Sequence, residues 1–84
     1  MKMKKKRFKT IKEMKKWLVE KCCIQSYGFE EYLEEKIIKN QGIGKNEFIL
    51  EWIADKPSKY YPLDSKNVFT IKIKLNKNSY GMEL

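Results

Sequence analysis

The chain has 84 residues, enough for one hydrophobic core and not two, because so short a polypeptide buries only roughly 60–65% of its unfolded surface on folding. It contains no histidine and its two cysteines, Cys22 and Cys23, are adjacent. One chain therefore cannot build a Cys–His or Ser–His catalytic pair, a tetrahedral zinc site or an unstrained internal disulfide. The net charge of +8 is unevenly spread: six of those charges fall within the first nine residues, which leaves two for residues 10–84.

That opening segment, residues 1–9, carries Lys2, Lys4, Lys5, Lys6, Arg7 and Lys9. Like charges at this density repel one another, which predicts a flexible basic tail ahead of a single folded domain at 10–84. The lysines resemble the start of a secretion signal, but Ile11, Lys12 and Glu13 stand where an apolar stretch of about 7–15 residues would be required. No apolar run approaches the ~20 residues of a membrane span either. A cytoplasmic protein that keeps its thiols reduced is expected, with Cys22 in the core and Cys23 partly exposed.

Thr10 and Glu13 form the S/T-x-x-E capping box, in which a hydroxyl and a carboxylate each satisfy an unpaired backbone donor at a helix start. Ile11, Met14, Leu18 and Cys22 then recur at three- and four-residue intervals, so a first helix is predicted over residues 10–24. Phe29, Leu33 and Ile37 predict a second over 29–40, with Glu30 and Glu31 in its first turn, Lys36 and Lys39 in its last, and Gly28 and Gly42 as punctuation. A short connection makes the two helices an antiparallel pair.

Residues 46–54 fit two patterns. A short third helix capped by Asn46 would give a winged-helix-like arrangement, although Glu47, Glu51 and Asp55 would make that helix a poor reader of DNA. The same residues also alternate as a strand. Residues 68–75 are β-branched and strictly alternating, and they need a partner. Laid antiparallel, Phe48, Leu50 and Trp52 meet Phe69, Ile71, Ile73 and Leu75, while Glu47 and Glu51 join the face of Lys72 and Lys74. Tyr80, Met82 and Leu84 alternate after a turn at residues 76–79 and supply a third strand. The expected fold is α+β: two helices packed on a small antiparallel meander of two or three strands. The capping box and the alternation occur in many folds and identify no family.

Catalysis has little to draw on. The acids Glu30, Glu31, Glu34 and Glu35 form a solvated helical face, and Gly42-Ile43-Gly44-Lys45 lacks both the spacing and the hydroxyl of a phosphate-binding loop. No cofactor is expected, and the protein is read as a non-enzymatic binding module.

Its candidate contacts with nucleic acid or a nucleoprotein complex fall in three places. The first is the basic opening, Lys4, Lys5, Lys6, Arg7 and Lys9, which attracts phosphate by counterion release. The second is a long loop in which Lys56, Lys59 and Lys66 flank Tyr60 and Tyr61, rings able to stack on bases or to anchor a protein. The third is the strand pair Lys72 and Lys74. Eighteen lysines against one arginine predict low sequence specificity and steep salt dependence, since the guanidinium fork is what reads base edges.

The composition also points to a phage or mobile element of an AT-rich bacterium. The alternative function is an inhibitor or adaptor acting on a host defence or replication protein, or a homodimer, through a sheet face bearing Ile49, Ile53 and Val68. Deletion of residues 1–9 is the experiment that this reading suggests for separating nucleic-acid from protein binding.

Overall fold

The computed structural model describes residues 5–56 and 68–84. Four strands and two helices follow one another as β1 (Lys5–Phe8), α1 (Ile11–Cys22), α2 (Phe29–Gln41), β2 (Glu47–Ile53), β3 (Val68–Asn76) and β4 (Ser79–Glu83). All strand pairings are antiparallel and the sheet order is β1-β4-β3-β2. The architecture is the α+β one expected, with four strands in place of two or three. Residues 46–54 contain a strand, which removes the winged-helix alternative.

Helix α1 starts where its capping box predicts. The Thr10 hydroxyl accepts from the Glu13 amide at 3.1 Å, and the Glu13 carboxylate accepts from the Lys9 amide at 3.2 Å. The helix ends on Cys23 in the left-handed conformation, φ 59°, with the Ile24 amide donating back to the Leu18 carbonyl at 3.5 Å. A non-glycine residue there is strained, and the next residues show what holds it. Ile24 is buried and bridged to Ala54, the Asp55 amide donates to the Cys23 carbonyl at 2.8 Å, and the Gln25 amide donates to the Ile53 carbonyl at 2.9 Å. These bonds also cover the end of β2, which is otherwise an edge strand.

Gly28 opens α2 at φ 80°, and the Trp52 ring lies 4.0 Å from where its Cβ would be. The indole is held by its Nε1–H donating to the Gln25 carbonyl at 2.7 Å and by contacts with Phe29 and Tyr32. Lys15 of α1 pairs with Glu30 of α2 at 2.9 Å.

Both helices bury their stripes against one face of the sheet. Met14, Leu18 and Cys22 from α1, with Phe29, Leu33 and Ile37 from α2, meet Leu50, Phe69, Ile71, Ile73 and Met82. The β2–β3 pair shares the faces that the alternation predicts, and its register sets Phe48 opposite Ile73, Leu50 opposite Ile71 and Trp52 opposite Phe69. Neither cysteine is in a disulfide; Cys22 is buried and Cys23 half-buried. Among the described residues, no helix is long and apolar enough to cross a membrane.

Strand β1 is the departure from expectation. The charge density of residues 1–9 predicts a flexible tail, and instead residues 5–8 pair along β4, Lys5 opposite Glu83 through Phe8 opposite Tyr80. The physical reason is that β4 would otherwise be left with an unpaired edge, and an edge strand tolerates lysine well because one side of it stays in water. Only Phe8 of β1 is buried, beside Trp17 at a centroid distance of 6.3 Å. Lys6 lies on the same face and places its ammonium 5.1 Å from the Trp17 ring centroid, with its stem against the protein.

Candidate nucleic-acid interface on the open sheet face

With both helices on one side, the sheet's other face is uncovered by any described element. Strand register decides what stands on it. Side chains alternate between faces, so the residues opposite one another form cross-strand rows. One row runs Lys5, Glu83, Lys72, Ile49; its neighbour runs Arg7, Gly81, Lys74, Glu47. Further along β2 and β3 come Thr70 opposite Glu51 and Val68 opposite Ile53.

The face therefore has two ends. Ile49 and Ile53, 59% and 56% exposed, stand on β2 together with the exposed Glu47 and Glu51, so the β2 end mixes apolar and acidic side chains. The β1–β4 end is polar and concave, an open groove of about 490 Å³ whose lining includes Lys5, Arg7, Lys72, Lys74, Asn76 and Gly81. That volume lies within the ~300–1,000 Å³ of small-molecule sites, but such sites are mostly apolar and enclosed, and this one is charged and open, a shape suited to a polymer lying across it.

Its charges are partly matched. The Lys72 ammonium donates to Glu47, and Lys5 lies 3.8 Å from Glu83. The Lys72 hydrogen bond, backed by the charges of Lys72 and Lys74, holds the Glu47 carboxyl below the usual glutamate value, and the same bond holds Lys72 above the usual lysine value. Both side chains are about half exposed, so the pair orients side chains more than it stabilises the fold. Of the five cations around the groove, Lys6 turns its ammonium to Trp17 on the other face, and the remaining four against Glu47 and Glu83 leave an excess of two positive charges. Among the described residues, Arg7 has no ion-pair partner.

Four of the residues expected to bind, Lys5, Arg7, Lys72 and Lys74, come together on this face although they are far apart in the chain. Lys6 points to the opposite face. Lys9 lies beyond β1 near the β3–β4 turn, and Lys56 is exposed in the bend after Ala54. Lys4, Lys59, Tyr60, Tyr61 and Lys66, with most of the long loop, lie outside the described residues. Gly81 and Asn76 were not anticipated. A glycine inside the alternation Tyr80, Met82, Leu84 was the available signal, since glycine within a strand marks a missing side chain or a close approach.

No protein-family model matches the chain, and neither a curated protein nor a solved structure matches it significantly.

Proposed function

We propose that this is a non-catalytic, cytoplasmic binding protein that engages the sugar-phosphate backbone of nucleic acid, free or within a nucleoprotein complex, with little regard to base sequence. The observation that supports this reading most is the gathering of Lys5, Arg7, Lys72 and Lys74 on the one sheet face that no described element covers. Phe48, Trp52, Phe69 and Tyr80 all stand in the rows of the helix-covered face. The described part of the open face thus offers cations for phosphates and no ring for stacking, and phosphate contacts carry register without sequence.

The test is binding to unrelated duplexes and single strands across salt. Affinity should fall steeply and nearly equally for all sequences. A flat salt response, or one sequence bound far more tightly than the rest, rejects the reading.

A protein-binding inhibitor or adaptor is favoured by a separate observation, the exposed Ile49 and Ile53 at the β2 end. Replacing both with serine should abolish capture of a protein partner and leave phosphate binding intact. Self-association through the same end would appear as a mass that rises with concentration in light scattering.

A further inference from the structure

We infer that Gly81 is the floor of a seat for one phosphodiester group, held between the Arg7 guanidinium and the Lys74 ammonium; this rests on the nucleic-acid reading above and deepens it. Arg7, Gly81 and Lys74 are directly opposite one another on β1, β4 and β3. Neighbouring strands are about 4.8 Å apart, so the two cationic residues leave the sheet roughly 10 Å apart with a vacant position between them. Long side chains rising from either side of a gap can both reach a group placed over it.

The missing side chain leaves close-packed backbone beneath the seat: a Cβ built on Gly81 would lie 3.3 Å from the Lys74 carbonyl oxygen, tighter than most such contacts, 3.7 Å from the Lys74 Cβ and 3.8 Å from the Asn76 amide nitrogen. That nitrogen gives the seat a neutral donor beside its two charged ones. An anion placed there meets a fork suited to two phosphate oxygens from Arg7 and a mobile point charge from Lys74.

Nearby acids set its limits. Glu83 is two residues along β4, with Lys5 3.8 Å away, and Glu47 is taken up by Lys72. Both are thus drawn towards other cations, and Arg7 is left available. A single phosphate fits this arrangement better than a row of them, because the next positions on β4 in either direction on this face are occupied by Glu83 and Ser79.

The test uses the full chain, a short duplex of arbitrary sequence, and salt between roughly 50 and 200 mM, the range in which counterion release is read most easily. Arg7→Gln and Lys74→Gln should each weaken binding about tenfold, the scale of one charge-assisted hydrogen bond. Because both hold the same phosphate, the double variant should lower the slope of log affinity against log salt by about one, and not by two. Lys12→Gln with Lys16→Gln, on the exposed side of α1, removes the same charge and should change affinity less than about twofold, since exposed charges beyond a Debye length are screened. Gly81→Val plugs the gap and should match the double variant; its thermal unfolding is recorded alongside, and if it does not fold the charge variants decide.

A slope loss of two, additive single effects, or an α1 control as weak as the Arg7/Lys74 pair overturns the seat while leaving nucleic-acid binding in place. No binding by the unaltered protein overturns both.

Discussion

On the inner face of the sheet, Phe69, Ile71, Ile73 and Met82 lie against the helices with almost no surface left to water. On the outer face, Thr70, Lys72, Lys74, Gly81 and Glu83 come from the same two strands, offset by one residue, and carry a hydroxyl, a charge or no side chain at all. A period of two thus separates folding from adhesion: inner side chains contribute by leaving water, and the lysines of the outer face by staying in it. The separation predicts that substitutions on one face should change stability and spare binding, and that substitutions on the other should do the reverse.

The largest effect should come from Phe69→Ala. Truncating a fully buried phenylalanine costs about 3–5 kcal/mol, a large share of the ~4–13 kcal/mol available to a domain of this size. Urea unfolding should show the midpoint collapse, and a midpoint near that of the unaltered protein would mean that the inner face does not carry the stability. Thr10→Ala removes the hydroxyl that caps α1 and should cost about 1 kcal/mol, again by urea unfolding.

Cys23→Gly runs the other way. It relieves a left-handed conformation that costs a non-glycine residue about 1–2 kcal/mol, against some added freedom in the unfolded chain. A net gain of up to about 1 kcal/mol in thermal or urea unfolding is expected.

The outer face gives the smallest stability changes. Lys72→Gln should barely move the urea midpoint, yet it should be visible in a carbon-detected NMR titration of the Glu47 carboxyl. In the unaltered protein that carboxyl titrates below the usual glutamate range, because Lys72 donates to its ionised form. A lowered pKa contributes stability that is present above the unfolded value and is lost as pH falls through the folded one. The contribution should therefore vanish in moderately acidic solution, and in the Lys72 variant the Glu47 titration should move back up.

Much of this fold is legible in the sequence. The capping box fixed the start of α1 at Thr10, and the stripe of Met14, Leu18 and Cys22 gave its buried side. The alternation of 46–54 against 68–75 gave the antiparallel pairing and the shared faces of β2 and β3, and placed Glu47 with Lys72 and Lys74. Two features were not legible, for different reasons. Strand β1 contains three cations and one phenylalanine, so its own residues carry almost no strand signal; the open edge of β4 supplies the pattern from 70 or more residues away. The groove is likewise a product of register, since nothing local in Arg7, Gly81 or Lys74 says that they stand in one row.

The same fact changes how the basic opening must be tested. Deleting residues 1–9 removes β1 and the buried Phe8 together with the cations, so lost binding after deletion would mix unfolding with lost charge. Point substitutions at Lys5 and Arg7 keep the strand and change only what it presents.

The most direct measurement is an amide NMR titration of the labelled protein with a short duplex of arbitrary sequence. The account predicts shifts concentrated at Lys5, Arg7, Lys72, Lys74, Gly81 and Glu83, with the exposed sides of α1 and α2 unmoved at Lys12, Lys16, Glu34 and Glu35. Shifts confined to the helices, or to Ile49 and Ile53, would contradict it.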